Sequence, residues 1–166
     1  NQGSYNPNDR SQLDPANLRN KAITDLFEPG STMKPITVAA ALESGKYKPE
    51  TLIDTSPGYR RFGRFTIRDF RDYGALSLND IIVKSSNVGV SKIATELGGD
   101  VLRNLYARLG IGQATGIGFP GEAVGVLPAR PKWRPVEEAT LSYGYGLSVN
   151  ALQLAQAYMV LANGGI

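Results

Sequence analysis

From Ile36 to Leu42 the chain is apolar at every position but Thr37, and Ala39, Ala40 and Ala41 favour a helix. A helix with almost no polar face must be covered on all sides, so this segment is expected to be buried. Glu43 and Ser44 end it, and Gly45 is the expected residue just past its C-terminus. Farther on, Val90, Ile93, Ala94 and Leu97 form an i, i+3, i+4, i+7 stripe that Gly98-Gly99 closes. Leu102, Leu105, Tyr106 and Leu109 repeat the spacing before Gly110, with Asp100 as the expected cap. A last helix is predicted from about Ala151 to Ala162, capped by Ser148 or Asn150 and closed by Asn163-Gly164. Between Thr51 and Phe70, the residues Phe62, Phe65 and Ile67 around Gly63 predict a short irregular hairpin. Residues 1–18 are rich in Asn, Pro and Asp and favour turns, while the Gly and Pro density from Gly110 to Trp133 predicts loop.

Helices dominate this pattern and strands are few. For a sheet-containing enzyme that balance suggests that strands of the fold lie outside these residues. The 166 residues, 42% hydrophobic and 20% charged, suffice for one core and are too few for two. A net charge of +3 is mildly basic, and the arginines of YRRFGRFTIRDFRDYG are interleaved with Asp69 and Asp72. That string reads as a solvated face and gives no reason to expect nucleic-acid binding. No apolar run is long enough to span a membrane, and no signal peptide is visible. Neither end resembles a natural terminus, so the chain is expected to be a piece of something larger.

The chain has no His and no Cys. A Ser-His-Asp triad, a Cys nucleophile, a His-ligated zinc and a disulfide framework therefore cannot be built from its own residues. A nucleophilic serine here needs another base, and a desolvated lysine can lose its proton near neutral pH. FEPGSTMKP presents such a pair, Ser31 and Lys34, at the mouth of the buried helix. In a helix, residues three apart have Cβ atoms about 5–6 Å from each other, so the amine can reach the hydroxyl. Free N–H groups and the positive end of the helix dipole would favour an oxyanion there. Pro35 disfavours helical angles at Lys34, at a cost of no more than about one hydrogen bond this close to the helix start. Without a chemical role Ser31 would be an N-cap and Lys34 a solvated lysine, but an exposed lysine fits poorly at the head of a wholly apolar helix.

A hydroxyl and a carboxamide spaced S-x-N could relay a proton and hold an amide. The pattern occurs at Ser77-Leu78-Asn79, Ser85-Ser86-Asn87 and Ser148-Val149-Asn150. Capping or a turn is the preferred reading at Ser77 and Ser148. Ser85 and Asn87 differ, because they interrupt apolar sequence where polar side chains need partners.

In this order, FEPGSTMKP, VKSSNVGVSKIA, TGIGFPGE and SYGYGLSVNALQLAQAY resemble the transpeptidase domain of class B penicillin-binding proteins, above all their septal members, over essentially the whole chain. The resemblance implies an α+β fold with an antiparallel sheet packed between helices, of which residues 1–166 would form mostly the helical part of one domain. It implies a peptidoglycan D,D-transpeptidase that cross-links stem peptides during cell division and is the target of β-lactams. Ser31 would attack the D-Ala-D-Ala carbonyl to form an acyl-enzyme, with Lys34 as its base. Ser85 would relay the proton, Asn87 would bind the substrate amide and help position Lys34, and the Ser31 N–H would form half of the oxyanion hole. No cofactor or metal is implied. Expected partners are stem peptides, β-lactams, a membrane glycosyltransferase and divisome proteins, with the catalytic domain in the periplasm and an inner-membrane anchor outside this chain.

The family's third motif, K-T-G or K-S-G, occurs nowhere among the 166 residues. That puts turnover by these residues alone in doubt but leaves Ser31 unaffected. A serine β-lactamase or β-lactam sensor is one alternative, since Glu138-Ala139-Thr140-Leu141-Ser142 has a superficial likeness to a deacylating loop; Ser142 replaces its asparagine, and Glu137 and Glu138 are expected to be solvated or capping. A catalytically silent peptidoglycan-binding scaffold is the other.

Overall fold

The computed structural model describes residues 18–165, together with residues 6, 8, 9, 11 and 14. The turn reading of residues 1–18 therefore lies largely outside the described residues. A short helix, α1 (Lys21–Thr24), precedes a 3₁₀ turn over Gly30–Met33 that runs directly into α2 (Lys34–Glu43). Two short strands follow as β1 (Ile53–Asp54) and β2 (Tyr59–Phe62), then β3 (Phe65–Arg68) and β4 (Ala75–Leu76). The remaining helices are α3 (Leu78–Val83), α4 (Asn87–Leu97), α5 (Gly99–Arg108), α6 (Pro135–Leu141) and α7 (Ala151–Ala162).

The apolar helix α2 divides the core. Ile36 and Ala40 face Leu102, Leu105, Tyr106 and Leu141 on one side. Val38 and Ala41 face Tyr47, Leu78, Ile81, Val90 and Ile93 on the other. Each large aliphatic side chain buried in this way contributes about 2 kcal/mol of transfer free energy. The expected burial on every side fails at one edge, where Leu42 is 41% exposed. Gly45 takes the positive φ of a C-terminal cap residue, as the sequence predicts.

Asp100 is not the cap of α5. Gly98, with φ 91°, both ends α4 and begins α5, which leaves Asp100 inside the first turn accepting from Trp133 Nε1 at 2.7 Å. At α7 the choice between two caps resolves to Asn150: its Oδ1 accepts from Gln153 N at 2.8 Å, and Gln153 Oε1 accepts from Asn150 N at 2.9 Å. Ser148 instead accepts from Val126 N at 3.1 Å.

Strands β2 and β3 pair antiparallel from Tyr59↔Arg68 to Phe62↔Phe65, a regular hairpin where an irregular one was expected. Its two-residue loop is Gly63-Arg64, and Gly63 supplies the positive φ such a loop needs at its first position. Strands β1 and β4 form the other two-stranded antiparallel sheet, so among the described residues the α+β fold is mostly helix. Arg60 fastens the hairpin to α4 by donating to Ser91 Oγ at 3.0 Å and to Thr95 Oγ1 at 3.3 Å.

The approach to Ser31 is strapped down by chain from far along the sequence. Phe27 and Val149 exchange backbone hydrogen bonds of 3.0 Å each, and Gly30 N–H donates to the Gly144 carbonyl at 3.2 Å. Glu28 accepts from Gly146 N–H at 2.9 Å, and Tyr158 OH donates to the Thr32 carbonyl at 2.7 Å.

Candidate active site

Ser31 lies in the 3₁₀ turn before α2, exposed, with no hydrogen-bond partner for its hydroxyl. It does not cap α2, so the structural role that competed with chemistry is vacant. Lys34 is the reverse: the residue is only 1% exposed, and Nζ donates to the Ser85 carbonyl at 2.5 Å and to Ser85 Oγ at 2.8 Å. Burial pushes its amine from 10.5 down to about 8, and the Asp69 carboxylate opposes part of that fall.

Ser85 owes its position to the end of α3. Ser86 N–H donates to the Ile81 carbonyl and Ser85 N–H to the Ile82 carbonyl, the paired bonds of a Schellman motif. The residue just past such a helix takes a left-handed conformation and is usually glycine. Here it is Ser85 with φ 52°, the one non-glycine residue with positive φ among the described residues. Left-handed backbone at a residue with a Cβ costs about 1–2 kcal/mol, and strain kept in this way points to function.

The structure redistributes the other two residues of the S-x-N segment. The buried polar side chain there is Ser86, 0% exposed, whereas Ser85 is exposed and Asn87 half-buried. Ser86 caps α4 by accepting from Gly89 N at 2.8 Å, and its hydroxyl donates to Asp69 Oδ2 at 2.6 Å. Asp69 Oδ1 also accepts from Val88 N at 3.0 Å. Asn87 Nδ2 donates to the Arg68 carbonyl at 2.9 Å, so the carboxamide is held by the hairpin and makes no bond to Lys34. Sequence reasoning missed Asp69 and Ser86, and the only signal was an aspartate at the end of a predicted strand.

Behind α2, the Thr37 and Tyr106 hydroxyls lie 2.8 Å apart and between them reach the Ser142 and Leu141 carbonyls. Burial pushes the Tyr106 phenol above its ordinary range. No group of three or more acidic side chains converges to hold a metal among the described residues.

A family description, penicillin binding protein transpeptidase domain, matches residues 1–166. The chain belongs to that family. Peptidoglycan D,D-transpeptidase FtsI of Escherichia coli is 44% identical over 166 residues, which is all of this chain and 28% of that protein. A probable peptidoglycan D,D-transpeptidase, PbpC of Pseudomonas aeruginosa, is 42% identical over 162 residues, 98% of this chain and 29% of that protein. The chain thus spans under a third of the length of either of these relatives. Among solved structures, the apo transpeptidase domain of Burkholderia pseudomallei penicillin-binding protein 3 superposes with a TM-score of 0.85 at 45% identity, covering 89% of this chain and 45% of that one.

In this transpeptidase domain the acidic pair near Ser142 is structural. Glu137 caps the start of α6 from its third position, accepting from the Arg134 guanidinium at 2.8 Å and from the Arg134 N–H at 3.0 Å, which together hold the carboxyl down at about 2. Glu138 Oε1 accepts from Gly99 N at 3.1 Å, at the start of α5. Both agree with the expected capping. Ser77 likewise caps α3, accepting from Asp80 N at 3.1 Å.

Proposed function

We propose that the protein is a peptidoglycan D,D-transpeptidase that cross-links stem peptides during cell division through an acyl-enzyme on Ser31, and that β-lactams acylate the same hydroxyl. The observation that carries this reading is the buried Lys34 amine, bonded to Ser85 and lowered to about 8, one turn from an unpartnered serine. A neutral amine has two N–H bonds and one lone pair. Ser85 engages both N–H bonds through its carbonyl and its hydroxyl. The lone pair is left for the Ser31 proton.

In the reaction, Ser31 Oγ adds to the D-Ala-D-Ala carbonyl as Lys34 takes its proton. The peptide C–N bond then breaks, Ser85 protonates the departing D-alanine amine, and Lys34 restores the Ser85 proton through the bond it already donates. An amine from a second stem peptide next attacks the acyl carbonyl and loses its proton to Lys34, which passes it to Ser31 Oγ as the ester bond breaks. Asn87, with Nδ2 committed to Arg68, offers Oδ1 to the substrate's amide N–H. Ser31 N–H supplies one oxyanion donor.

The chain is mostly the helical part of one transpeptidase domain. Kinship with FtsI supports a periplasmic catalytic domain on the bacterial inner membrane, with a glycosyltransferase and divisome proteins as partners. No helix among the described residues is long and apolar enough to cross a membrane. Against a β-lactamase, Glu137 and Glu138 are both engaged at helix N-termini.

Penicillin treatment of the native protein followed by peptide mapping is expected to find the adduct on Ser31 and none in Ser31→Ala, with thermal midpoints within a few degrees. Full labelling of the Ser31→Ala protein overturns the assignment. Ser85→Gly separates strain from chemistry: it relieves about 1 kcal/mol of left-handed strain while removing the proton relay. Its midpoint should hold or rise as acylation slows by at least about tenfold.

A further inference from the structure

The hairpin β2–β3 and the loop after it carry five arginines against two aspartates, from Tyr59 to Gly74. Neither aspartate neutralises them. Asp69 is bonded to Ser86 and Val88, and Asp72 accepts from Gly74 N at 2.9 Å. Arg61, Arg64, Arg68 and Arg71 form no ion pair with any carboxylate among the described residues, although ion pairs occur elsewhere on the chain, as at Arg108–Glu43. Instead each guanidinium rests on an aromatic ring: Arg61 and Arg68 lie 5.4 and 5.5 Å from the centroid of Tyr59, Arg64 5.1 Å from Phe65, and Arg71 5.4 Å from Tyr73. Stacking restrains long side chains that would otherwise sweep through solvent, at about 0.5–1 kcal/mol each at exposed sites. The solvated face expected from the sequence is thus an ordered array of cations lacking anions.

Two further features give the array a shape. The hairpin tip and the start of α6 enclose an open cleft of about 460 Å³, floored by Phe62, Phe65, Pro135 and Val136 with Arg64 beside them. Phe70, between Arg68 and Arg71, is 95% exposed and presents a bare ring. Cations over an apolar cleft suit a chain that alternates carboxylates with small apolar groups, and a bare ring suits the flat face of a sugar. The hairpin is also fastened to the candidate active site, through Asn87 to the Arg68 carbonyl and through Asp69 to Ser86 and Val88.

We propose that this hairpin surface is a second binding site for the peptidoglycan strand, holding the carboxylates of its stem peptides outside the Ser31 cleft. The proposal rests on the transpeptidase reading and extends it: a polymer processed at Ser31 continues past the site, and the adjacent surface matches it in charge.

The test measures binding of soluble glycan strands bearing stem tripeptides, which lack the scissile D-Ala-D-Ala bond, to the native protein and to Arg61→Gln/Arg64→Gln/Arg71→Gln. The native protein should bind in a salt-sensitive manner, and should still do so within about twofold after penicillin has blocked Ser31. The triple variant should bind at least about tenfold more weakly, ~1.4 kcal/mol, while penicillin acylates it within about twofold of the native rate, which also reports that it is folded. Unchanged binding by the triple variant overturns the proposal. So does binding that vanishes once Ser31 is acylated, or an arginine-dependent preference for phosphatidylglycerol vesicles over glycan strands. Failure of penicillin to acylate the native protein is a separate result: it removes the transpeptidase reading itself, and the proposal with it.

Discussion

Lys34→Arg is expected to slow acylation by penicillin about a thousandfold, within the 10²–10⁴ range that a positioned base contributes. Arginine keeps the charge and the donors to Ser85 but cannot give up its proton in a protein. The unsubstituted amine can, because burial has lowered it to about 8. The active form is the neutral amine, so the rate should rise with pH: about a tenth of the lysine is neutral at pH 7 and half at pH 8, giving roughly a fiftyfold increase from pH 6 to 8. The arginine variant should show a small and flat profile over that range. Second-order rate constants for acylation across pH test both statements. An arginine variant within tenfold of the parent, or a parent rate that does not follow an ionisation near 8, means that Lys34 is not the base.

The parts of the fold legible in the sequence were those with a long hydrophobic period. Helix α7 runs from Ala151 to Ala162 as expected, and α4 and α5 break at the Gly98-Gly99 pair. The roughly two-turn helices α3 and α6 went unread because six or seven residues do not establish a period, and their starts are marked only by the Ser77 cap and by Pro135 at the first helical position. Ser31 and Lys34 were legible because an amine before a wholly apolar helix has no solvent to reach. The S-x-N segment was less so. Which serine is buried depends on Asp69, which reaches Ser86 from the end of a separate hairpin, and Ser85 is poised by a left-handed backbone that nothing in the residue type announces. Asp100 misled for a similar reason: Gly98 had already started the helix, and a tryptophan from a distant loop took the carboxylate. Local pattern determines elements well, while partners brought from other segments determine what a polar side chain does.

Gly144→Ala is expected to cost well over 3 kcal/mol, combining the left-handed penalty of about 1–2 kcal/mol with a clash that cannot be relieved locally. A Cβ at position 144 would lie 2.3 Å from the Gly30 oxygen and 2.5 Å from the Gly30 nitrogen, with φ at 80°. Those atoms are backbone, so no rotamer change makes room. The two turns must separate, and the Gly30 N–H to Gly144 carbonyl bond of 3.2 Å parts with them. Gly30 immediately precedes Ser31, so the displacement reaches the nucleophile as well as the fold. Gly146→Ala is the control, because φ there is 78° but nothing lies within 4 Å of the added carbon. It should pay only the conformational term, about 1–2 kcal/mol. Denaturant unfolding of both variants in the native protein, with penicillin acylation measured on the folded fraction, separates the two contributions. If the two alanines destabilise equally, the close approach of Gly144 to Gly30 is not what holds Ser31 in place.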